Sequence, residues 1–219
     1  LMGYSAAAAG IAVSPRGVGA ILIMPVIGVL TSKLDNRYLI AFGFALFGVT
    51  SIWFAQVTLD ISQWSMLAPI ILSGAASGMV FVPLSTTAMG TLRNEQMGNA
   101  SGLYNLLRNV GGSIGIAMVN TLVSRHSQTH RNELSRYITH NTNFQQAYNG
   151  YQQALAARTT GDAAAQSYGL IERGLDLQAA VYSYVDDFRY LALLCFLCVP
   201  VVFLVKSVKA RRGAAPAAH

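Results

Sequence analysis

Apolar positions along the chain gather into five long runs, at roughly 6–31, 38–56, 66–91, 100–123 and 188–205, with polar stretches between them. Each run is about 18–26 residues, the length a helix needs to cross a hydrocarbon core of about 30 Å. The pattern predicts an all-α, polytopic membrane protein with five transmembrane helices. One long interval is different. In "FQQAYNGYQQALAAR", Phe144, Tyr148, Tyr151 and Leu155 recur at helical spacing, as do Tyr168, Ile171, Leu175, Ala179 and Tyr182 in "SYGLIERGLDLQAAVYSYV". "TTGDAAAQ" separates the two. The predicted organisation is therefore four transmembrane helices in 1–123, an external helical segment in 124–187, a fifth transmembrane helix in 188–206 and a basic tail in 207–219. The two amphipathic helices of the external segment are expected to fold against each other or onto the membrane face.

Composition agrees with this division. Of 219 residues, 53% are hydrophobic and 11% charged, against about 25% charged in an average soluble domain. Lys33, Arg37 and Arg93 fall in alternate short loops, and Lys206, Lys209, Arg211 and Arg212 follow the last run, while loop 57–65 has no Lys or Arg. Cytoplasmic loops collect basic residues, so the C-terminus is expected in the cytoplasm and 124–187 outside. Trp53 and Trp64 bracket the outer loop at interface depth. The net charge of +6 therefore reflects membrane orientation. The basic residues form no patch with interleaved aromatics, and no nucleic-acid partner is expected. Cys195 and Cys198 lie in the last run, and His126, His130, His140 and His219 lie outside the spans. Neither a metal site nor a cofactor is expected. With no Ser/His/Asp set and no acid pair in a span, the chain does not read as an enzyme.

Candidate chemistry concentrates in the fourth run. At about 100° per residue, one side of 100–123 carries Ser101, Asn105, Arg108, Asn109, Gly112, Ser113, Gly115 and Asn120. The other carries Leu103, Leu106, Leu107, Val110, Ile114, Ala117, Met118 and Leu122. An arginine at mid-membrane costs about 2.5–3.5 kcal/mol on insertion scales, so Arg108 is expected to face protein or a water-filled pathway. Arg16 is a second intramembrane arginine, in a first run made kinkable by Pro15, Gly17, Gly19, Pro25 and Gly28. In the third run Gly74 and Gly78 form a small-xxx-small ridge with Ser73 and Ser77 beside it. Pro83 can bend that helix where Ser85, Thr86 or Thr87 serve freed backbone groups. No Asp or Glu falls inside any of the five runs, so a proton-driven machine would carry its titratable group elsewhere.

The run "SGMVFVPLSTTAMGTLRNEQMGNASGLYNLLRNVGGSIGIA", 77–117, resembles the C-terminal half of major facilitator drug:proton antiporters of the fourteen-span EmrB/QacA type. "LMGYSAAAAGIAVSPRGVGAILIMPVIGVL" is similar to that family's tenth span and its lead-in. The resemblance implies that the five runs are the tenth to fourteenth helices of such a carrier, an inverted-repeat fold with alternating access around a midplane site. "GVLTSKLDNRY" matches the family's cytoplasmic loop signature in part, through Gly28, Leu30, Lys33 and Arg37. Gly111, Gly112 and Gly115 take the place that mirrors the antiporter motif of the other half.

Together these readings give a secondary active transporter fragment of the bacterial inner membrane, exporting drugs or other amphipathic compounds in exchange for protons. Arg16, Asn105, Arg108, Asn109 and Ser113 are the expected cavity residues, with Ser73, Ser77 and Phe81 as neighbours. Gly28, Gly74, Gly78, Pro83, Gly111, Gly112 and Gly115 are expected to serve helix packing and gating. The expected partners are the lipid bilayer, a small-molecule substrate and protons, and the resemblance to EmrB-type members implies a periplasmic adaptor protein, for which 124–187 is the expected docking segment. Two alternatives remain open from the residues: a facilitator carrier for another substrate class, and a non-transporting membrane module that binds a partner through 124–187.

Overall fold

The computed structural model describes residues 6–56, 63–90, 96–139, 146, 148–153 and 163–204. Most of loop 57–65, Arg93, Phe144, Leu155, residues 159–162 and the tail 207–219 lie outside the described residues. The described residues are almost wholly helical, with no strand among them. The helices are α1 (Ala6–Val13), α2 (Pro15–Lys33), α3 (Asn36–Phe54), α4 (Gln63–Met89), α5 (Met97–Thr139) and α6 (Ala163–Leu204). Five stretches are long and apolar enough to cross a membrane: Gly10–Lys33, Asn36–Phe54, Trp64–Met89, Met97–Arg136 and Ala164–Leu204. The chain is an all-α polytopic membrane protein.

Two features differ from the pattern read along the chain. The first apolar run is broken by a turn at Ser14, whose hydroxyl donates to the Ile11 carbonyl at 2.8 Å. Pro15 then opens α2, where its missing N–H costs nothing because the first-turn donors have no helical acceptor. The fourth and fifth runs are also not bounded by their polar flanks. α5 continues as one helix to Thr139, and α6 begins at Ala163, well ahead of its apolar part. Hydropathy marks where a helix is greasy. It does not mark where the backbone ladder stops, and nothing between 97 and 139 is a helix breaker of the proline kind.

Contacts divide the chain into two compact units, one holding 4–116 and 188–219 and the other 117–187. In the first, α2 and α3 both pack against α4. The α2–α4 seam is built on glycine. A Cβ placed on Gly19 would land on the Ile71 carbonyl, and one on Gly74 would land on the Arg16 carbonyl. The two backbones therefore touch directly, the arrangement that small residues permit between membrane helices. Gly78 faces Ile23 one turn further on, where an added Cβ would sit 3.0 Å from Cγ2. Below it Ile27, Leu39 and Met79 form a small core with Ile23, Leu30, Leu46 and Val82 around it.

α3 joins that core on one side and takes α6 on the other. Gly43 lies under Val80 of α4, and Gly48 lies under the Phe196 ring of α6. Ile40, Ala41 and Val202 are buried together, with Phe54 stacked on Phe188 at 5.2 Å and Tyr38 edge-on to Phe203 at 5.9 Å. Apolar side chains remain exposed along α2, α5 and α6, among them Leu22, Leu106, Leu107, Ile114, Leu193 and Leu197, as lipid-facing helix surfaces require.

In the second unit, α5 residues 117–139 and α6 residues 163–187 are tied by polar bonds. Arg131 pairs with both Glu172 and Asp176. Ser167, Ala179 and Ser183 are fully buried on α6, with the Ser183 hydroxyl turned back to the Ala179 carbonyl at 2.7 Å. Residues 148–153 are helical, and Tyr148 packs on Tyr168 at 4.6 Å between ring centres.

Candidate functional site

Helical spacing puts Asn105, Arg108, Asn109 and Gly112 on one face of α5. In the structure the Arg108 guanidinium lies over the Phe81 ring of α4, 4.8 Å from its centroid. A cation–π contact contributes about 0.5–2 kcal/mol depending on desolvation. That recovers only part of the cost of an arginine at mid-membrane depth. The sequence supplies no carboxylate in any of the five apolar runs, and Phe81 is itself 46% exposed. The site so formed is a fixed positive charge with an aromatic face beside it, open on its polar side.

The other expected cavity residues are placed as follows. Asn105, Asn109 and Ser113 are exposed on α5, and the Ser113 hydroxyl donates to the Asn109 carbonyl at 2.9 Å. Ser73 is buried and Ser77 half-buried on α4. Their hydroxyls go to the Ile70 and Gly74 carbonyls, both at 2.7 Å, so each is satisfied by its own helix. Arg16 is exposed at the start of α2, and its backbone carbonyl meets Gly74. Gly74 and Gly78 lie in the α2–α4 seam, whereas Gly28, Gly111, Gly112 and Gly115 have nothing within 4 Å of a notional Cβ.

Pro83 is fully buried in α4. Lacking an N–H, it leaves the carbonyl one turn back without its helical donor. The nearby hydroxyls go elsewhere. Thr86 and Thr87 donate to the Pro83 carbonyl at 2.9 and 2.7 Å, and Ser85 to that of Val82. Both threonine oxygens then accept from Asn36 Nδ2, at 3.1 and 2.9 Å. Asn36 opens α3 and is 2% exposed, so this amide pins the start of α3 to the last turns of α4. Sequence reading missed the link because nothing in a linear pattern marks an asparagine that acts 50 residues away.

Asn36 belongs to the short α2–α3 connection. Lys33 is exposed at the end of α2, and Arg37 is half-buried in the first turn of α3. Asp35 Oδ1, Asn36 Oδ1 and Arg37 Nε are buried without hydrogen-bond partners. Unmet buried polar atoms cost about 1–3 kcal/mol each, so this connection holds polar groups at a cost to the fold.

The polar unit carries a second group of titratable residues. His126 Nδ1 lies 3.2 Å from Asp187 Oδ1, and His130 Nε2 lies 2.7 Å from Asp186 Oδ2. Asp187 precedes the apolar part of α6, and only 9% of its side chain is exposed. Burial pushes its carboxyl above the usual carboxylate range, the neighbouring Asp186 charge adds to this, and His126 opposes it through its hydrogen bond and charge.

A glycine-seamed bundle of spanning helices, with an exposed arginine set over Phe81 on one of them, defines a polytopic membrane protein. The Major Facilitator Superfamily model matches residues 1–116, more than half the chain, and the chain belongs to that family. Fatty acid resistance protein FarB of Neisseria gonorrhoeae is 27% identical over 207 residues, covering 94% of this chain and 39% of its own length. Multidrug export protein EmrB of Escherichia coli K12 is 27% identical over 223 residues, covering 99% of this chain and 42% of its own length. Probable multidrug resistance protein EmrY of the same strain is 32% identical over 138 residues, 63% of this chain and 27% of its own. The chain thus spans about two fifths or less of these relatives. Membrane-spanning helices and EmrB-type relatives together make it a multi-pass protein of the bacterial inner membrane.

Proposed function

We propose that the chain forms part of a proton-coupled exporter of amphipathic compounds that works by alternating access. The observation that carries this is Arg108, a fixed cation set over Phe81 on the polar face of a spanning helix. Asn105 and Asn109 flank it as hydrogen-bonding groups, with Ser113 one turn further along and Arg16, Ser73 and Ser77 on the neighbouring helices. Gly111, Gly112 and Gly115 give α5 a flat strip on which another helix of the transporter can close and reopen. A cation beside an aromatic face selects a ligand with an anionic group and a flat or apolar body. The name of FarB, which refers to fatty acids, supports that preference.

In this reading the C-terminus is cytoplasmic, as the basic loops indicate, and the polar unit 124–187 lies outside. There it is positioned to receive a periplasmic adaptor. The test is export by the full-length protein in cells. Arg108→Ala should abolish export of an anionic amphiphile while membrane levels stay similar, and Arg108→Lys should retain part of it. Normal export by Arg108→Ala overturns the assignment. Loss of a cationic dye but not of a long-chain fatty acid would reverse the proposed charge preference.

A further inference from the structure

The five apolar runs hold no acidic residue, yet the polar unit carries two imidazole–carboxylate pairs side by side. His126 and His130 stand one turn apart on α5 and face the adjacent Asp187 and Asp186 of α6. Imidazole is the side chain whose charge ordinarily changes between pH 5 and 8. With the proton on, each pair is a charge-assisted bond, roughly twice as strong as its neutral counterpart. With it off, the charge that the imidazole sets beside the carboxylate is gone. Asp187 would feel that most, because its Oδ2 is buried with no hydrogen-bond partner. Burial already works against its charged form.

The surrounding charges leave this role to the pairs. Glu133, on the same helix, comes within 3.8 Å of His130 Nδ1, and the Tyr182 ring lies 5.7 Å from the His130 ring. Arg131 is committed to Glu172 and Asp176 on α6. Arg125 precedes His126 and is exposed, and Arg189 follows Asp187 by two residues on α6. Among the described residues no three of the His, Cys, Asp or Glu side chains converge as metal ligands. The small ion that fits is the proton.

We propose that His126–Asp187 and His130–Asp186 form a proton-binding site that clasps α5 to α6 when loaded and loosens when it empties. Each imidazole takes up one proton from solvent and returns it, and no bond other than N–H is made or broken. The site lies outside the Arg108 region and does not depend on what that region carries.

The test uses the intact protein, purified from membranes in detergent with isotope-labelled histidine, and resonances assigned through His126→Gln and His130→Gln. Asp187→Asn should move the ring resonances of His126, and Asp186→Asn those of His130, because each removes the carboxylate that the imidazole faces. Hydrogen exchange of 163–187, corrected for the intrinsic pH dependence, should quicken several-fold from pH 5.5 to pH 8. In His126→Gln/His130→Gln it should stay flat. The two isosteric Asn variants keep the experiment readable if the double histidine variant fails to fold. Ring resonances that do not move in the Asn variants overturn the site, and pH-independent exchange in the unsubstituted protein overturns the clasp. Neither readout involves export, so the result stands apart from the transport assignment.

Discussion

Replacing Gly74 with alanine adds one methyl group at the closest approach of α2 and α4. That methyl would occupy the space of the Arg16 carbonyl oxygen, more than an ångström inside ordinary contact. The obstructing atom is backbone, so no side-chain rotation relieves it. The helices must separate or shift, and the seam from Gly19 to Gly78 loses contact along its length. Overpacking costs typically 1–3 kcal/mol where side chains can adjust, and here the upper end or beyond applies. About 3 kcal/mol corresponds to more than a hundredfold in the folding equilibrium.

The control lies on the same helix pair. Gly28 has open space at its Cβ, and Gly→Ala inside a helix is worth about 0.5–1 kcal/mol in favour of alanine. Gly74→Ala should therefore lower the midpoint of thermal unfolding in detergent by several degrees, while Gly28→Ala leaves it unchanged or raises it slightly. Gly19→Ala should behave like Gly74→Ala, because Ile71 presents a carbonyl there in the same way. Equal effects at positions 28 and 74 would refute the argument that backbone contact at the seam holds these helices together.

Four further outcomes follow from the same geometry. Gly112→Ala has open space in the fold, so stability should hold; if α5 closes on another helix during transport, export should fall at least tenfold, and unchanged export removes the gating role. Asn36→Ala leaves the Thr86 and Thr87 hydroxyls without their cross-helix donor, and a loss of about 1–3 kcal/mol should appear in thermal unfolding. Asp187→Asn should gain in relative stability as pH rises. The raised native carboxyl means the folded state binds that proton more tightly than the unfolded one, so its contribution is full at low pH and is lost as pH rises through the native value. The neutral amide should therefore stabilise the protein more at pH 8 than at pH 5.5 in thermal unfolding, and an effect independent of pH would refute the argument. Reporter fusions at the C-terminus and within 124–187 should read cytoplasmic and external respectively, and the reverse would overturn the orientation taken from the basic loops.

The linear pattern carried the architecture because crossing a bilayer is a one-dimensional requirement. A span must be long and apolar, and five such runs sit where five helices lie. It also marked Arg108, since a charge inside an apolar run stands out without any knowledge of neighbours. The small-xxx-small ridge at Gly74 and Gly78 was legible for the same reason. Only the packed structure decided which glycines carry contact. Gly19 and Gly74 meet backbone, while Gly28 and Gly112 meet nothing, and one glycine looks like another in sequence. Phe81 was already among the neighbours expected of Arg108, and only the ring contact itself, between residues 27 apart on different helices, needed three dimensions. Hydropathy fell silent where α5 and α6 pass from apolar into polar sequence, since the backbone ladder persists through both. The histidine–aspartate pairs were hidden for the most general reason. A bond between residues 61 apart is fixed by how two helices lie side by side, and no local spacing records that.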